Sequence, residues 1–152
     1  MSKNYTQKEN TITSKENKEL VRHLFEEVNK GNSQPFVDAM AEDLTLTLIG
    51  TTPISGTFKG VKEVSEKVMP RIMSSFKSQP RVVIDRLIAE DDFVVVVAHG
   101  EGGVAKNGHP YNNTYCHVMR LKNGKLVEST EYLDTSLVNA ARIGQYGPND
   151  QP

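Results

Sequence analysis

The sequence predicts an α+β domain in which three main helices pack on one face of a curved, mostly antiparallel sheet. Two observations carry this. Apolar residues recur at helical spacing through much of residues 14 to 76, whereas from Arg81 onward the period switches to two and holds through four consecutive segments. Helices gathered early and strands gathered late exclude a doubly wound fold, in which the two would alternate.

Residues 1 to 13 offer only Tyr5 and Ile12 for burial and read as a flexible tail. Thr13 and Glu16 stand at capping-box spacing, and Leu20, Val21, Leu24, Phe25 and Val28 then form one apolar face up to Gly31, a C-terminal stop. A short second helix carries Phe36, Val37 and Met40. Leu44, Leu46 and Leu48 alternate with Thr45 and Thr47, the pattern of a half-buried strand. The segment GTTPISGTFKG is rich in turn formers, with room for one short strand at Thr57 and Phe58. In the third helix Val61, Val64, Val68, Ile72 and Phe76 hold the stripe, and Pro70 should kink it or end it early. Strands are predicted over 81–89, 93–102, 111–122 and 125–133, with Asn123 and Gly124 turning the last hairpin. Asp134, Thr135 and Ser136 open a short final helix, which sets a domain of residues 14–142 and a loose C-terminal tail over 143–152.

A chain of 152 residues suits one domain that buries about 70% of its unfolded surface. Its 18 basic and 19 acidic residues leave a net charge of -1, so neither nucleic acid nor a membrane surface is an expected partner. Cys116 stands alone and cannot form an intrachain disulfide; with no signal-like apolar start, a cytoplasmic location is expected. Val94, Val95, Val96 and Val97 make one strand apolar on both faces, and the chain's own helices can cover only one. A homodimer through the outer sheet face is therefore expected, with Val95 or its neighbour Val94, Cys116, Val118 and Tyr132 at the interface.

No phosphate-binding loop, dinucleotide fingerprint, H-E-x-x-H or C-x-x-C occurs, so no cofactor and no metal are expected. His99 and Glu101 share one face of their strand and would need His117 beside them to make a metal site, a placement the pattern does not supply. The polar cluster that remains is on the last hairpin. Asn113, Tyr115, His117 and Met119 share a face by strand alternation. A two-residue turn at Asn123 and Gly124 would set Lys122 opposite Lys125 and put Glu131 on the other face. A three-residue turn with a bulge at Gly124 would set Leu121 opposite Lys125 and make His117 and Glu131 diagonal neighbours; it is favoured because it avoids the lysine pair. Histidine and carboxylate on one wall suit general acid and base chemistry, and Tyr115 could donate to a developing oxyanion. The same residues equally suit a hydrogen-bonded packing role beneath the helices.

The helix ENKELVRHLFEEVNKG, the segment AEDLTLTLIGTTPISGTFKG, the hairpin GHPYNNTYCHVMRLKNGKLVESTEYLDT and the exit TSLVNAA resemble the SnoaL-like proteins of the nuclear transport factor 2 (NTF2) and ketosteroid isomerase superfamily. The resemblance spans residues 14 to 142 and implies a cone of helices and bent sheet around an apolar pocket, in a homodimer packed sheet to sheet. In the polyketide cyclases of that group a histidine and an acidic residue on the last two long strands serve the active site. His117 and Glu131 fall at similar positions, with glutamate here in place of the cyclase aspartate. The Asp, Arg, Asp set of the group's epoxide hydrolases is disfavoured, since the relevant strand reads Ala98, His99, Gly100.

The expected site therefore has His117, Glu131 and Tyr115 as catalytic groups, in a pocket lined by Val21, Phe25, Leu46, Leu48, Val68, Ile72, Asn113 and Met119. A small hydrophobic ligand is the expected partner. The corresponding functions are a cofactor-independent isomerase, cyclase or lyase acting on a carbonyl compound, a non-catalytic binding module, or a dimeric interaction scaffold.

Overall fold

The computed structural model describes residues 12–146, so most of the expected N-terminal tail, and residues 147–152 of the C-terminal one, lie outside the described residues. Helix α1 (Ser14–Asn29) starts where Thr13 accepts a hydrogen bond from the Glu16 amide at 3.2 Å, and Gly31 beyond its end takes φ 84°. Helix α2 (Gln34–Ala39) leads directly into strand β1 (Met40–Leu48), and β2 (Gly56–Lys59) folds back along it.

Pro70 lies inside the third helix, which runs on through it and ends at Met73, before Phe76. The chain passes from α3 (Val61–Glu63) through a π-helical turn (Val64–Val68) into α4 (Met69–Met73). Proline has no amide hydrogen for the ordinary helical bond, and a widened turn ahead of it accommodates the loss. Phe76, expected on this helical stripe, instead opens the short strand β3 (Phe76–Ser78). Strands β4 (Arg81–Glu90), β5 (Phe93–Glu101), β6 (Val104–Ala105), β7 (Thr114–Lys122) and β8 (Lys125–Leu133) follow, then helix α5 (Thr135–Ala140). The predicted strand over 111–122 thus begins at Thr114.

Six strands form one curved sheet in the order β2-β1-β8-β7-β5-β4, antiparallel except for the β1–β8 pair, while β3 and β6 pair separately. Bulges in β4 and β8 and a register shift in β1 bend the strands. On β5, Val94 and Val96 are fully buried under the helices and Val97 on the other face is 37% exposed. The main core joins Val21 and Phe25 of α1 to Leu44, Leu87, Val94, Val96 and Met119 of the sheet.

Residues 143–146, expected in the C-terminal tail, pack against the rest of the fold. Ile143 and Tyr146 are buried, and the Gly144 amide donates to the Ser75 hydroxyl at 2.7 Å while its carbonyl accepts from Arg71 Nε at 2.6 Å. Glycine is required there: φ is 75°, and a Cβ would collide with Ile54.

Candidate functional site

The inward face of β7 presents Tyr115, His117 and Met119, as alternation dictates. What stands opposite them on β8 is decided by two features of the hairpin. Asn123 and Gly124 both take positive φ, 51° and 75°, which makes the tight two-residue turn and sets Lys122 opposite Lys125. The favoured three-residue turn is therefore not formed. Both lysines are exposed, where solvent screens their repulsion, and Lys125 Nζ donates instead to the Asp38 carbonyl at 2.6 Å. The bulge occurs further on: Leu121 pairs with Leu126 but Arg120 with Glu128, leaving Val127 as the extra residue. That one residue returns Glu131 to the inner face, directly opposite His117 and not diagonal to it.

His117 Nδ1 lies 4.0 Å from Glu131 Oε2, with the two side chains 13% and 21% exposed. This exceeds a direct hydrogen bond, and neither side chain hydrogen-bonds any other described residue, so their polar atoms open onto the cavity. The imidazole is held between Phe25, whose ring centre is 5.4 Å away, and Tyr115, stacked at 5.7 Å. Burial lowers the proton affinity of His117 below the ordinary imidazole value, and the Glu131 charge opposes this only in part, so the ring is neutral near pH 7. Burial raises both neighbouring phenols, Tyr111 to about 12 and Tyr115 further, so both keep their hydroxyl protons.

The cavity has two lobes that meet at this pair. One, of about 200 Å³, runs beneath Tyr111, Tyr115, Leu133, Val138 and Ile143; the other, of about 430 Å³, runs beneath Phe36, Leu46, Val68 and Met119. Phe25, Leu48, Ile72, Met73, His117 and Glu131 line both.

Two expected lining residues are elsewhere. Val21, one helical turn before Phe25, points into the closed core and is 1% exposed. Asn113 precedes the strand and is buried as a clamp: its amide nitrogen donates to the Tyr111 hydroxyl and the Asp134 carbonyl, each at 3.1 Å, and its oxygen accepts from the Thr114 and Asp134 amides. Tyr111, Val138 and Ile143 line the cavity without having been anticipated. Tyr111 continues the two-residue spacing back from Tyr115, which is a usable signal; the other two are brought in by the final helix folding under the sheet.

His99 and Glu101 lie on the outer face, away from His117, where the His99 ring meets Asp85 at 2.8 Å and Glu101 at 3.2 Å. No group of three or more His, Cys, Asp or Glu side chains arranged for a metal occurs among the described residues. Val95, Cys116, Val118 and Tyr132 share that outer face, and Val94 points inward.

Among described residues no helix is long and apolar enough to cross a membrane. No curated protein matches the chain. Solved structures do, at identities that bear on the fold alone. An NTF2-like protein of unknown function from Burkholderia pseudomallei K96243 superposes with a TM-score of 0.73 at 22% identity, over 89% of this chain and 100% of that one. A candidate SnoaL-like polyketide cyclase from Jannaschia sp. CCS1 gives 0.68 at 19%, over 86% and 93%. A candidate isomerase from Rhodopseudomonas palustris gives 0.66 at 18%, over 87% and 97%. Residues 21–129 match the SnoaL-like domain model, most of the packed structure from α1 to β8. With the curved sheet and the helices over one face, this match establishes that the chain belongs to the SnoaL-like family of NTF2-like proteins.

Proposed function

We propose that the protein is a cofactor-independent isomerase, cyclase or lyase that uses acid and base chemistry on a small hydrophobic carbonyl compound. The observation that carries this reading is the position of His117 and Glu131, facing each other at the junction of two apolar lobes with neither side chain hydrogen-bonded to another described residue. A purely structural pair would be satisfied by its neighbours, as Asn113 is. The named relatives, a candidate polyketide cyclase and a candidate isomerase, are consistent with it.

The chemistry follows from the groups present. The Glu131 carboxylate takes a proton from the carbon beside the substrate carbonyl, and the electron pair of that C–H bond forms an enolate. Tyr115 stays protonated, chiefly because burial raises its hydroxyl, and on this reading its proton turns from the Tyr111 hydroxyl, to which it donates, to the enolate oxygen. His117 is neutral and carries one N–H and one lone pair, which lets it relay the proton from Glu131 to a second position on the substrate. In an isomerisation the proton returns to a second carbon; in a ring closure the enolate carbon attacks a second carbonyl carbon of the same molecule, the π pair of that carbonyl moves to its oxygen, and the oxygen takes the proton, with no external reactant.

The protein acts as a homodimer in the cytoplasm on this reading. The exposed outer face, with Val97, Tyr132, Ile88 and Phe93, supports a second copy as its cover. Native mass spectrometry of freshly purified protein tests the pocket: a co-purified organic molecule, lost on denaturation, is the expected result. Retention without turnover on any carbonyl compound would favour the binding-module alternative.

A further inference from the structure

The charge inside the cavity restricts its ligand further than apolarity does. Among the described residues lining both lobes, Glu131 is the one acidic side chain, and neither arginine nor lysine appears. The other polar groups, including Tyr111, Tyr115, Thr52, Gln79 and Ser129, are formally neutral. His117 adds no compensating positive charge near neutral pH, because burial favours its uncharged form. The Glu131 carboxylate has no direct hydrogen bond from a described residue; Arg71 is engaged by the Gly144 carbonyl, and Arg81 by Glu101 on the outer face.

We infer that the cavity is charge-selective: its ligand is an uncharged, elongated molecule that spans both lobes, and compounds carrying a carboxylate, sulfonate or phosphate are rejected. An anion entering either lobe would lose its hydration, meet no cation, and approach a carboxylate through walls of low polarity, where repulsion is poorly screened. An uncharged ligand meets none of these costs. It can still be oriented, since the Tyr111 and Tyr115 hydroxyls and the His117 ring supply donors to a carbonyl or hydroxyl near its middle. Glu131 is then the residue that sets charge preference as well as the proposed base.

This inference rests on the pocket reading above, and one pair of dyes separates the two. N-Phenyl-1-naphthylamine and 8-anilinonaphthalene-1-sulfonate share a skeleton and differ by a sulfonate, and both fluoresce on entering an apolar site. Titrated at pH 7.5 into the full-length protein, the uncharged dye should bind at least about tenfold more tightly, the equivalent of about 1.4 kcal/mol. Glu131→Gln removes the charge at nearly constant shape and should bring the two affinities to within about threefold. Equal affinities in the natural protein, or a preference unchanged in Glu131→Gln, would overturn charge selection while leaving a pocket. Failure of the uncharged dye to bind would overturn the pocket itself, and the inference with it. The comparison in the natural protein requires no variant, so a poorly folding substitution does not remove the test.

Discussion

Leu126 and Ser129 both face the interior of β8 although they are three residues apart, an odd spacing that a regular strand does not allow. Val127 is the extra residue that makes it possible, and everything beyond it, including Glu131, owes its orientation to that bulge. Deleting Val127 should therefore regularise the hairpin without changing its pairs, since Leu126 would be followed directly by Glu128 and Glu131 would stay opposite His117. Retained dye binding is the expected outcome; loss of binding in a variant that still folds would show that the bend made by the bulge, and not register alone, shapes the site.

Proton abstraction by Glu131 is tested by exchange of the α-protons of 2-tetralone for deuterium, followed by proton NMR. The natural protein should accelerate exchange, and Glu131→Gln should reduce that acceleration by at least about a hundredfold. Affinity for the uncharged ketone should stay within a few-fold, because the shape of the site is kept. Unchanged exchange in the variant would dispose of Glu131 as the base.

Two histidines should give the stability profile opposite slopes. The folded-state value of His117 lies below the ordinary 6.5, so in the window beneath 6.5 the unfolded chain binds the proton and the folded chain does not. Its contribution is intact above 6.5 and is lost as pH falls toward the folded-state value. His99 is raised, first by its hydrogen bond to Asp85 and then by Glu101, so its contribution is complete below 6.5 and is lost as pH rises through the folded-state value. Urea midpoints measured across pH should lose their acid-side slope in His117→Gln and their alkaline-side slope in His99→Asn.

Asn113→Ala should cost about 1–3 kcal/mol in urea unfolding, since four hydrogen bonds are lost and the buried Tyr111 hydroxyl loses a partner. A change below 0.5 kcal/mol, roughly the range of ordinary surface substitutions, would mean that the clamp is not needed.

The outer sheet face should associate with a second copy, burying about 800 Å² or more per subunit. Sedimentation at micromolar concentration should return a dimer for the natural protein and a monomer for Val97→Lys combined with Tyr132→Glu. A natural protein that sediments as a monomer would leave the exposed Val97 and Tyr132 unexplained.

What the sequence determined by itself is what depends on near neighbours along the chain. Thr13 and Gly31 bound the first helix, the leucine and threonine alternation marks β1, and the two-residue period places Tyr115, His117 and Met119 on one face. These follow from helix and strand periodicity and from capping, which act over a few residues. Tertiary structure alone decided how strands slide past one another. Face is a property of one strand, but register is a property of two, and it depends on burying Leu121 against Leu126 and on Lys125 reaching the Asp38 carbonyl far away in the chain. For that reason the sequence places the hairpin at Asn123 and Gly124 but favours a three-residue turn that is not formed, and the bulge lies at Val127, three residues beyond Gly124; Asn113, which parity places in the cavity, spends its buried amide on backbone partners. The parallel pairing of β1 with β8 and the entry of Ile143 beneath the sheet likewise join residues distant in sequence, and such contacts leave no periodic trace in the chain.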